Sequence, residues 1–164
     1  MRSFGFVVIG TDHRMQNGEP GFEGLLRGLL GQRYFEPLTA VAEEYGNALG
    51  TSCAERLARE HNLRWFNLDM TTEEKWKAGI LEDQLNRPGM FQEGTTRRVA
   101  SDEIRERAWV EKLEKLATGT TLIICGYLHF EPLVQKLRTS GHCVDKRVYL
   151  ETVPTITLPE AKED

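Results

Sequence analysis

Phe6-Val7-Val8-Ile9-Gly10-Thr11-Asp12-His13 is a short apolar run that stops at a glycine and reaches a histidine three residues later. The same punctuation returns far downstream as Leu122-Ile123-Ile124-Cys125-Gly126-Tyr127-Leu128-His129. Unbroken apolar runs of this length suit strands covered on both faces, as in a parallel sheet. Glycine at a strand end lets the backbone turn sharply and leaves room beside it. The two histidines are therefore read as one site, at the carboxyl ends of buried strands. Open α/β sheets bind their ligands there.

The chain between and beyond these runs alternates strand and helix. Turn formers fill Arg14 to Gly21, and Phe22 to Leu30 reads helical until Gly31. Pro37 opens a second strand, Leu38 to Glu44, which Tyr45-Gly46-Asn47 closes. Thr51 to His61 is an amphipathic helix with a Thr51 or Ser52 cap, and Arg64 to Asp69 is a third strand. Thr71 and Glu74 have capping-box spacing before a helix carrying Trp76, Ile80, Leu81 and Leu85 as far as Arg87-Pro88-Gly89. Met90 to Ala100 has little pattern and reads as a mobile loop near the site. A longer helix, capped by Ser101 or Asp102, runs through Ala117 with Ile104, Ala108, Trp109, Leu113 and Leu116 facing in. After the second Gly-x-x-His come a helix from about Phe130 to Leu137 and a last strand around Cys143 to Leu150. This alternation predicts one α/β domain over residues 1–153, a mainly parallel sheet flanked by helices on both faces. An acidic tail, 154–164, is expected to fray.

Composition narrows the classes of function. The 164 residues are 40% hydrophobic and 28% charged, enough for a single core. No segment approaches the apolar length of a transmembrane helix, and Gly5 and Gly10 bracket too few apolar residues for a secretory signal core. The expected location is the cytoplasm. A net charge of -4 argues against nucleic acid or acidic membrane as partner. Glu103 and Glu106 interleave with Arg97, Arg98, Arg105 and Arg107, which reads as a solvated helix face as readily as an anion site. Cys53, Cys125 and Cys143 form no C-x-x-C pair, which argues against a disulfide framework or a cysteine zinc site.

Four polar groups fall at strand ends: His13, Glu43 or Glu44, Asp69 and His129. Two imidazoles and a carboxylate are a ligand set for zinc, manganese or iron. The same set serves metal-free hydrolysis, with histidine activating water and a carboxylate orienting it. Alternation sends only one of the two glutamates to a given face, and Glu43, on the side of Val41, is favoured over Glu44. Asp69 is equally a cap for the helix near Thr71. Arg107 either pairs on the surface or reaches in to bind a substrate oxyanion. Trp65, Trp76 and Trp109 are expected in the core, while His61 and His142 sit at a helix end and a turn.

With these motifs in order, the chain resembles the superfamily that includes the TraB and Tiki proteins, the GumN-like bacterial proteins, the erythromycin esterases and the haem-binding ChaN proteins. The resemblance rests on Val7 to His13, on Ala40-Val41-Ala42-Glu43, on Arg105 to Trp109 and on Leu122 to His129. It implies a site built from His13, His129 and Glu43, aided by Arg107. The expected function is a small hydrolase, metal-dependent or metal-free, cleaving an amide or ester bond in a small molecule or peptide. The alternative is a non-enzymatic protein of the same fold that binds a small molecule or a haem-like metallocofactor. A third possibility is an interaction protein whose histidines only bind backbone carbonyls.

Overall fold

The computed structural model describes residues 5–46, 50–87, 95–151 and 155–158. The two apolar runs are neighbouring strands. β1 (Gly5–Thr11) and β5 (Thr120–Gly126) lie side by side and parallel, with Phe6 opposite Thr121 and Thr11 opposite Gly126. β2 (Leu38–Glu43) pairs with β5 on its other side and β3 (Arg64–Asn67) pairs with β2. β6 (Cys143–Tyr149) completes the far edge against β1. The order is β3-β2-β5-β1-β6 and every pair is parallel.

A parallel sheet needs a covering layer on each face, because its connections cross over it. On one face α1 (Pro20–Leu30) and α2 (Cys53–Glu60) pack Phe22, Leu26, Ala54 and Leu57 against Val7, Ile9, Val41, Leu122 and Ile124. On the other, α5 (Ser101–Leu116) and α6 (Tyr127–Thr139) pack Trp109, Leu113, Phe130 and Leu133 against Phe6, Val8, Ala42, Ile123 and Cys125. The α/β class and the two-sided cover are as the alternation predicted.

The connection out of β1 turns to the first face through a 3-10 turn, His13–Asn17, and α1. The connection out of β5 turns to the other face through α6. Two adjacent strands whose connections part in this way leave a crevice at their carboxyl ends. His13 and His129 both emerge there.

Four expectations are corrected. The helix expected from Thr72 to Leu85 is broken into α3 (Thr72–Lys77) and α4 (Leu81–Leu85), because Gly79 sits at φ 69° and stops the first. Neither short helix buries a residue; Trp76 is exposed and only Ile80 between them is buried. Ile104, expected to face in, is exposed: the inward stripe of α5 runs through Asp102, Arg105, Glu106, Trp109 and Leu113. Parts of the expected loop and tail pair instead as a second small sheet, β4 (Thr95–Arg97) with β7 (Thr155–Thr157). In sequence the first apolar stretch begins at Phe4, broken only by Gly5; that residue, the turn residue Asn47, the stop at Pro88-Gly89, residues 90–94 of the loop, Pro154 and the tail beyond 158 lie outside the described residues. Among the described residues no helix is long and apolar enough to cross a membrane.

Gly10 shows why the first motif needs its glycine. A Cβ there would stand 2.6–2.9 Å from the Cβ, Cγ and Cδ2 of the buried Phe130 side chain on the first turn of α6. The Gly10→Ala variant is expected to lose about 1–3 kcal/mol of stability through overpacking. Urea unfolding measures this, and a midpoint equal to that of the parent would show that the Phe130 ring yields.

Candidate functional site

Strand alternation divides the two glutamates at the end of β2. Glu43 follows Val41 to the α1/α2 face, and Glu44 follows Ala42 to the α5/α6 face. Glu44 faces both histidines, whereas Glu43 reaches His13 only through Gln16.

On the first face, Glu43 is fully buried. It accepts hydrogen bonds from Gln16 Nε2 (2.9 Å), from Trp65 Nε1 (2.9 Å) and from the Ser52 hydroxyl. Burial pushes its carboxyl above the ordinary value, with the three donors acting in the opposite direction. Gln16, also fully buried, gives its second amide hydrogen to the Glu44 backbone carbonyl (3.0 Å). Its side-chain oxygen lies 2.6 Å from His13 Nδ1. His13 heads the 3-10 turn, which Asp12 caps by accepting from the Arg14 N–H, and its side chain is half exposed.

On the second face, Glu44 Oε1 accepts from Arg105 Nη2 (2.7 Å) and Oε2 accepts from the Gly126 N–H (2.8 Å). His13 Nε2 and His129 Nε2 stand 3.7 and 3.8 Å from that same Oε1. Both predicted histidines therefore converge, but on Glu44 and not on the favoured Glu43. Burial by itself would raise the Glu44 pKa. The positive charge facing it, from His129 and His13 when protonated and from Arg105, outweighs burial and, with the Gly126 N–H, holds it well below the ordinary carboxylate range.

His129 lies on the first turn of α6, buried, edge-on to Trp109 at 4.8 Å between centroids. Its Nε2 is 2.9 Å from Arg105 Nη1 and its Nδ1 is 2.9 Å from Glu106 Oε1. A guanidinium can only donate, so Nε2 accepts and Nδ1–H donates to Glu106. Glu106 also takes Arg98 (2.6 Å) and Lys136 (3.0 Å). These partners outweigh burial and lower its pKa.

Arg105 is the hub of this face. Its Nε and Nη2 donate to Asp69 Oδ1 (3.1 and 2.8 Å), Nη2 also to Glu44, and Nη1 to Gln84 and His129. All five N–H groups have partners, so none is left for a substrate. Burial alone would lower its pKa, but Glu44 and Asp69 raise it. Asp69, placed by sequence as a site acid or a helix cap, also takes Lys75 Nζ at 2.6 Å. The cap itself is Thr71, in a complete capping box with Glu74.

Arg107 does not join this cluster. Its side chain is 70% exposed and pairs with Glu103 at 3.2 Å one turn back on α5. The residue that enters is Arg105, and sequence carried the signal. Arg105 lies four residues before the buried Trp109, on its stripe, whereas Arg107, two before, points away.

The metal set suggested by sequence does not converge either. Glu43 is saturated by three donors on the far face, and both nitrogens of His129 are engaged by Arg105 and Glu106. Among the described residues no group of three or more His, Cys, Asp or Glu side chains is disposed to hold a metal ion. Two open surface clefts, of about 670 and 590 Å³, lie elsewhere; the first touches the cluster only at Asp69. No family model, curated protein or solved structure matches the chain.

Removing Arg105 would leave the buried Glu44 without its guanidinium and the half-buried Asp69 with only Lys75 as a cation partner among the described residues. Arg105→Met is expected to cost about 3–5 kcal/mol, and Arg107→Ala no more than about 0.5 kcal/mol. Denaturant titration of both variants checks the ranking; equal losses would contradict it. Because the Glu44 pKa is lower folded than unfolded, its contribution is complete above the ordinary carboxylate pKa and is lost as pH falls below it. Glu44→Gln is therefore expected to be less stable at neutral pH and to show a shallower acid decline in urea midpoints measured from pH 7 downward.

Proposed function

We propose that the protein is a small hydrolase in which His13 Nε2 is the general base on an ester or amide bond. One observation carries this reading. Of the two imidazoles at the crevice, only His13 presents a ring nitrogen without a hydrogen-bond partner among the described residues, half exposed and beside a buried carboxylate. Glycine makes that position available. A Cβ on Gly126 would stand 2.8 Å from His13 Nε2 and 3.3 Å from Glu44 Oε2.

The chemistry follows from these positions. A water standing beside His13 Nε2 and Glu44 Oε1, which are 3.7 Å apart, can give one hydrogen to each. Nε2 takes a proton as the water oxygen bonds to the substrate carbonyl carbon. Glu44, kept ionised by its positive surroundings, stabilises the imidazolium that forms. When the tetrahedral intermediate collapses, the same proton passes from Nε2 to the departing oxygen or nitrogen. Arg105 acts by holding Glu44, and His129 by holding Arg105, since their own donors and acceptors are spent.

A second reading has support in the same geometry. Arg105 has no donor left for charge developing on a substrate oxygen, which suits a protein that binds a small molecule at His13 without turning it over. A screen of esters, lactones and peptides divides the two. The hydrolase reading expects turnover that falls ~10²- to 10⁴-fold in His13→Ala, in a variant that still folds but loses about 1–3 kcal/mol in urea unfolding because the buried Gln16 oxygen loses its donor. Turnover unchanged in His13→Ala would remove the residue from catalysis. Saturable binding with no turnover in the parent would favour the second reading.

A further inference from the structure

We propose that Gln16 is a positioning residue that locks His13 in its Nδ1–H tautomer, so that Nε2 is the nitrogen left to react. The proposal rests on the hydrolytic reading for its consequence, but its structural content stands on the polarity of one chain of hydrogen bonds.

The chain begins at groups whose polarity is not negotiable. The Glu44 backbone carbonyl can only accept, and so can an ionised Glu43 carboxylate. The latter already receives the Trp65 indole N–H and the Ser52 hydroxyl at its other oxygen. Ser52 is itself held in place as the cap of α2, accepting from the Glu55 N–H at 3.0 Å. Gln16 Nε2 faces both acceptors, at 2.9 and 3.0 Å. Turning the amide over would set its oxygen against two acceptors in a fully buried position, which is strongly disfavoured. The amide orientation is therefore determined, and its oxygen must face His13. An oxygen 2.6 Å from Nδ1 requires that nitrogen to carry the hydrogen. In the neutral ring, Nε2 then keeps its lone pair, beside Glu44 and Gly126.

The same logic on the second face leaves His129 with the same tautomer but with its lone pair used by Arg105. The two Gly-x-x-His turns thus carry alike imidazoles with unlike fates. The glutamate on the sheet face opposite Glu44 reaches the site through Gln16 and touches no substrate.

The test is a long-range ¹H–¹⁵N correlation spectrum of the His13 ring, taken in the full chain at a pH where the ring is neutral. The parent protein is expected to show the Nδ1–H form alone. Gln16→Met, which keeps the volume and removes the amide, is expected to show a mixture with the Nε2–H form. An Nε2–H ring in the parent, or an unchanged tautomer in Gln16→Met, overturns the proposal; the parent spectrum decides even if the variant does not fold. Hydrolysis is measured alongside. In Gln16→Met, kcat should fall ~10- to 100-fold with KM little changed, and Gln16→Asn should recover less than half of the loss because its shorter arm does not span His13 and Glu43. A shifted tautomer with unchanged kcat overturns the positioning role. If the parent hydrolyses nothing, the hydrolytic reading fails while the spectrum still reports on the lock.

Discussion

The alternation of side chains at the end of β2 is the constraint on which the site depends. Two consecutive carboxylates leave one strand in opposite directions, each onto its own packed face of the sheet. Glu43 is drawn into a cradle of neutral donors, and Glu44 against the Arg105 guanidinium, with the two imidazoles beside it. Their acidities move apart accordingly, one up by burial and one down by charge. A shift of register by one residue would exchange the two environments and undo both. The parallel pairing of β2 with β5 and β3 prevents that shift.

Burying this many charges is possible only because they are mutually compensated. Arg105 is surrounded by Glu44, Asp69 and Gln84, and its carbon is 5.0 Å from the centroid of the Trp109 ring. Asp102 is tied to Arg87, and Glu106 to Arg98 and Lys136. Such clusters add little net stability over an apolar core, but a missing member is severe, so they specify one arrangement closely. The segment carrying α3 and α4 is held to the body mainly by these polar ties, through Lys75, Gln84 and Arg87, with little burial of its own. Order in that segment and order at Glu44 are thereby coupled through Arg105.

The two histidines show how one motif yields two roles. Each follows a strand, a glycine and two further residues. His13 lands on a 3-10 turn at the surface, while His129 lands inside the first turn of a helix packed against Trp109. Their glycines serve different purposes too. Gly10 makes room for the Phe130 ring and Gly126 for His13 itself. The second strand end is thus shaped to receive the first.

Sequence alone determined the five strands of the main sheet, the cover of helices on both faces and the placing of His13 and His129 at neighbouring strand ends, because apolar periodicity and strand-end glycines are local properties; it missed the small β4/β7 sheet and the break at Gly79. It left Glu43 and Glu44 both eligible and weighted the wrong one for the histidine pair, since alternation separates neighbours without saying which face the histidines will share. It also counted Arg107 into the site. The stripe of Trp109, already expected inward, pointed to Arg105 four residues earlier, but only the packed structure shows a charged residue on that stripe turned inward against Glu44 and Asp69. Gln16 left no mark in the pattern, because its role consists of hydrogen bonds to Glu43 and His13 that exist only after β1 and β2 are set two strands apart with β5 between them. Tertiary structure decided those matters: the polarity of a hydrogen-bond chain is a property of where distant donors and acceptors meet, and no single segment contains it.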